Sequence, residues 1–137
     1  MRSTFLAAFT VGYLCAAGSA AFAHHSASAE FDATQQVKLT GVVTKIDWVN
    51  PHTIFYMDVK DETGKVANWG WELPSPNELI RNGWLRTSMK VGDSITVEGS
   101  KARDGSTHAM ARVVTLTASG TRLFSGTNPE ITHASDS

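Results

Sequence analysis

Five short stretches with apolar residues at every second position, and one helix-start signature after the third, constrain the fold of this chain most. A two-residue period places alternate side chains on opposite faces, so each stretch reads as a half-buried strand. The first begins at Gln36. Val37, Leu39 and Val43 hold odd positions, whereas Val42, Ile46 and Trp48 hold even ones. That switch of phase beside Gly41 predicts a bulge or sharp bend in a long strand. Asn50-Pro51 ends it, because proline cannot donate to a ladder. The second stretch, 53–60, sets Phe55, Met57 and Val59 against Ile54, Tyr56 and Asp58. Asp61-Glu62-Thr63-Gly64 has hairpin-turn composition. The third, 65–73, sets Ala67, Trp69, Trp71 and Leu73 against Asn68, Gly70 and Glu72.

Ser75-Pro76-Asn77-Glu78 then carries an N-cap, a proline at the first helical position and a capping-box glutamate, and Gly83 supplies a stop. The helix expected over 76–82 is therefore short. Strands follow at 94–99 and 108–117, after turns at Gly92-Asp93 and Asp104-Gly105. The predicted class is all-β with one short helix, in the order β-β-β-α-β-β. A long bent first strand and a helix between strands three and four are the pattern of an OB-like five-stranded Greek-key barrel. A small β-sandwich meets the same periodicity. Trp69 and Trp71, sharing a face with Ala67 and Leu73, are expected in the core.

The amino terminus has a different character. Arg2, an apolar run over 5–17 and the small residues Ala21 and Ala23 fit a secretory signal cleaved after Ala23. The run is too short and too rich in Ala and Gly for a spanning helix, and no second apolar segment follows. Leu14 precedes Cys15, so no lipid-anchor signal is read. The expected product is exported, most simply to a bacterial periplasm, without a membrane span. It would consist of an arm over 24–35, a barrel domain over 36–124 and a disordered tail over 125–137. Cys15 is the only cysteine and leaves with the signal, which removes disulfides and thiolate metal sites from consideration. The full chain carries 12 basic and 13 acidic residues, a balance that gives no reason to expect nucleic acid.

Cleavage after Ala23 would make His24 the first residue, and a free amine beside an imidazole can chelate one metal ion. Histidine nitrogens suit divalent copper, zinc or nickel. His24, His25 and His52 form the candidate metal set, with copper favoured. His52 is chosen because Pro51 restricts the turn that carries it. Glu72 is a further ligand or an orienting partner for an imidazole. A second class of function rests on Trp48, Tyr56 and Trp84, a candidate ligand-binding group for a small molecule, an oligosaccharide or an exported partner enzyme. Trp48 and Trp84 are expected to be partly exposed. Enzymatic signals are thin: the chain has no Gly-x-Ser-x-Gly, no His-Glu-x-x-His and no phosphate-binding glycine loop. The reading is a binding module and not an enzyme, with copper-dependent oxidase activity as a third alternative.

The residues His24-His25-Ser26, Glu30-Phe31-Asp32, Gly41-Val42-Val43, Trp48-Val49-Asn50-Pro51-His52, Ser75-Pro76-Asn77, Gly83-Trp84 and Gly92-Asp93 with Val97 and Gly99 together resemble a family of small exported bacterial proteins of unknown function. The resemblance spans essentially the whole chain after the signal. It implies a single periplasmic domain and assigns no activity, ligand or catalytic residue.

Overall fold

A computed structural model describes residues 27–126. The strands are β1 (Phe31–Asp47), β2 (Ile54–Lys60), β3 (Val66–Glu72), β4 (Ser94–Ala102), β5 (His108–Leu116) and β6 (Arg122–Phe124), with helix α1 (Pro76–Arg81) between β3 and β4. Hydrogen-bonded neighbours run β3-β2-β1-β4-β5-β6, and β3 also pairs with β5. That last pairing closes a five-stranded ring, so the chain is an OB-like barrel and not a pair of packed sheets. The ring is antiparallel except at the β3–β5 seam, which is parallel and short: Gly70 opposes His108, Trp71 opposes Ala109 and Glu72 opposes Met110.

The long first strand serves two partners, as its phase switch requires. Residues 36–42 pair with β4 and residues 42–47 with β2. Gly41 marks the crossing, since a Cβ there would lie 2.3 Å from the Asp58 carbonyl oxygen. The register slips between Val43 and Lys45, just beyond the glycine. Several strand bounds differ from the periodicity by a few residues, β4 for instance running on to Ala102, and the largest departures are at β1 and β6. β1 begins at Phe31, inside the expected arm, because Phe31 pairs with Ala102 and is buried. β6 has too few residues to show a period, and it forms by pairing with Val113–Thr115 of β5.

The inward faces supply one core: Val43, Phe55, Met57, Trp71, Leu73, Ile95, Val97, Ala109, Ala111 and Val114. Trp71 is fully buried and Trp69 packs partly buried against the cluster. Helix α1 contributes Leu79 to this core. Its start is as expected, with the Ser75 hydroxyl accepting from the Glu78 amide at 3.4 Å, and Gly83 takes a φ of 92° after the helix. Among the described residues, no helix is long and apolar enough to cross a membrane.

Candidate functional site

Outward-facing side chains on β2, β3 and β5 form two rows across the short seam. One row is Tyr56–Gly70–His108 and the next is Ile54–Glu72–Met110. Glu72 is therefore a diagonal neighbour of His108, close enough for long side chains to meet. His52 lies two residues before Ile54, after a cis Asn50–Pro51 peptide, and meets the other oxygen of Glu72. The result is a carboxylate between two imidazoles. Glu72 Oε1 contacts His52 Nδ1, and Glu72 Oε2 lies 3.5 Å from His108 Nε2.

A second carboxylate arrives from the chain entering β1, where residues 27–30 are helical. Arg103, in the turn after β4, holds this segment. Its amide donates to the Glu30 carbonyl at 2.9 Å, its Nε donates to the Ser28 carbonyl at 3.1 Å, and its guanidinium lies 3.5 Å from Asp32. Phe31 packs on His108, with ring centroids 5.5 Å apart and planes tilted by 34°. Donor atoms of Glu30, Glu72 and His108 consequently lie within 4.8 Å of one another. His52 stands outside that trio, on the other oxygen of Glu72.

The electrostatics follow from the pairing. The hydrogen bond to His108 holds the Glu72 carboxyl below its ordinary value, helped by the charge of His52 and opposed by burial. The same bond raises His108, with the charges of Glu72, Glu30 and Asp104 acting in the same sense against burial. Glu72 is therefore ionised at neutral pH. Two carboxylates and an imidazole nitrogen form a donor set that divalent first-row ions accept. The side chain of Glu72 is 15% exposed and that of His108 is 28% exposed, so the cluster is shielded on the barrel side and open on the other.

Of the residues singled out from the sequence, His52 and Glu72 are brought into contact. His24 and His25 lie outside the described residues. Trp48 is partly buried with Arg86 over its ring at 5.6 Å, and Tyr56 is partly buried with Lys45 over its ring at 5.5 Å. Trp84 corrects an expectation. It is 1% exposed and its indole Nε1 donates to the Phe124 carbonyl at 2.8 Å, so it offers no surface to a ligand. Its place after the helix stop suggested exposure, but β6 covers it. Sequence reasoning left His108 and Glu30 out of the site. His108 opens β5, and only knowledge that β5 closes against β3 would place it beside Glu72. Glu30 carries no local signal, because its position depends on Arg103, more than seventy residues away.

Comparison with curated proteins and with solved structures gives no match. A family model does match, over residues 11–112, which include every member of the Glu30–Glu72–His108–His52 cluster. The chain belongs to a family of unknown function (DUF6152).

Proposed function

We propose that this chain is an exported, periplasmic metal-binding module. Its ion would be held by Glu72, His108 and Glu30, with His52 fixing the second oxygen of Glu72. The observation that carries the reading is the convergence of donors from three separated segments on one partly shielded carboxylate. Hydrogen bonding of a ligating carboxylate by a neighbouring side chain is the usual support for such a site. Copper is the favoured ion because of the amino terminus. If the signal is removed after Ala23, His24 becomes the first residue, six positions before Glu30. Residues 27–30 are helical, so only the three steps before them could be extended, and the whole path from His24 to Glu30 would span at most about 15 Å, which would be enough for the amine and imidazole of His24 to approach the cluster. Nitrogen donors added to the trio favour copper over harder ions. The role is binding, delivery or sensing.

Isothermal titration of the processed protein, beginning at His24, with Cu(II) and with Zn(II) tests the reading. One ion per chain is expected, with affinity reduced at least about 10–100-fold in Glu72→Gln and in His108→Asn, since losing a ligand costs no less than losing a residue that supports one. Equal affinity in the wild type and in the double variant would remove the site. A chain carrying one extra amino-terminal residue separates the two parts of the proposal. Unchanged copper affinity there would exclude the terminal chelate and leave the barrel site standing. The metal-free alternative, a small molecule, an oligosaccharide or a partner enzyme on the barrel face, would depend on Trp48 and Tyr56, since Trp84 is in the core.

A further inference from the structure

Gly70 lies on the outward row of the barrel, between Tyr56 and His108, yet it is buried. Two rings lie over its bare backbone. A Cβ at this position would come within 2.9 Å of His108 Nδ1, 3.6 Å of His108 Cε1 and 3.3 Å of Tyr56 Cε1. The backbone itself makes no demand for glycine, because the positive φ values of this chain lie at Gly64, Gly83, Gly92, Gly105 and Gly120. What alanine would lack at position 70 is room for an imidazole. With Nδ1 turned toward Gly70, the ring presents Nε2 to Glu72, and the Phe31 ring packs against it at a tilt.

We propose that Gly70 is the positioning residue of the metal site, the gap that seats the His108 ring so that Nε2, and not Nδ1, faces the carboxylates. This inference rests on the metal-binding reading for its affinity arm and is independent of it for its spectroscopic arm. It also names the class of ion. Only the imidazole distinguishes the trio from a pair of carboxylates, so the seat confers preference for nitrogen-seeking ions such as Zn(II) and Cu(II) over Mn(II).

The experiment uses the processed protein and Gly70→Ala. In the wild type, nuclear Overhauser contacts between the Gly70 Hα protons and the His108 ring are expected, and their absence overturns the proposal whatever the variant does. Long-range proton–nitrogen spectra of the metal-free proteins report which ring nitrogen of His108 carries the proton. The wild type is expected to hold one neutral form, protonated at Nε2 toward Glu72, whereas Gly70→Ala should show a mixture of the two. Titrations with Zn(II) and Mn(II) complete the test. The alanine variant is expected to lose about 10–100-fold in Zn(II) affinity, with Mn(II) changed by less than about 3-fold. Equal losses for both ions would indicate general disruption and overturn the proposal, as would an unchanged Zn(II) affinity with an unchanged His108 spectrum. If the wild type binds no Zn(II), the metal reading fails by itself. The nitrogen spectra then decide on Gly70 alone: a displaced ring upholds the seat and an unmoved ring refutes it.

Discussion

Replacing Trp84 by phenylalanine measures how firmly the last strand closes the domain. The indole is 1% exposed, and its Nε1 donates to the Phe124 carbonyl at 2.8 Å inside the protein. Phenylalanine removes that donor and leaves a buried carbonyl unpaired, which costs about 1–3 kcal/mol. It also vacates the pyrrole half of the ring, a loss of one or two methylene equivalents that adds about 1 kcal/mol with incomplete collapse of the void. The total is about 2–4 kcal/mol. A domain stabilised by 5–15 kcal/mol remains folded at 25 °C, with a melting temperature lower by about 10–20 °C for some 100 ordered residues. Equilibrium urea unfolding followed by far-ultraviolet circular dichroism gives the free energy. Hydrogen exchange at Leu123 and Ser125 shows whether the loss is concentrated at β6, where Asn82 Nδ2 also donates to the Ser125 carbonyl at 2.9 Å. A cost below about 1 kcal/mol, with unchanged tryptophan emission, would refute the burial argument and return Trp84 to the surface.

The Glu72–His108 pair makes a signed pH prediction for the metal-free protein. The lowered carboxyl of Glu72 adds stability above its ordinary value of 4.5, lost as pH falls through the folded value, and the raised His108 adds stability below its ordinary 6.5, lost as pH rises through the folded value. The gap in urea midpoint between the wild type and Glu72→Gln, measured with a chelator present, should therefore be widest between about pH 4.5 and 6.5, and a pH-independent gap would contradict the pairing. The glycines of the barrel should divide by cause. Gly41→Ala and Gly99→Ala push a Cβ to 2.3 Å and 2.0 Å from the carbonyl oxygens of Asp58 and Met110, and should cost about 1–3 kcal/mol or more. Gly105→Ala, at a φ of 76° with open space around it, should cost only the left-handed penalty of about 1–2 kcal/mol, and a larger loss at Gly105 than at Gly99 in urea unfolding would count against this division.

The sequence by itself determined five of the six strands, the helix between β3 and β4, and their order, because periodicity and turn chemistry are local. Phe55, Met57, Trp71 and Leu73 announced the core face, Ser75-Pro76-Asn77-Glu78 set the helix, and the phase switch near Gly41 announced the bend that lets one strand serve two partners. The same local signals placed His52 and Glu72 in one candidate set, and the structure brings them into contact. Only the tertiary structure decided what meets what. The three-residue parallel seam brings His108 to Glu72, and Arg103 fixes the segment that delivers Glu30. The strand β6, too short to show a period of its own, buries a tryptophan whose sequence neighbourhood suggested exposure. Each of these depends on pairings between positions far apart in the chain. A strand's own pattern records which face is apolar and carries no trace of the neighbour it will join.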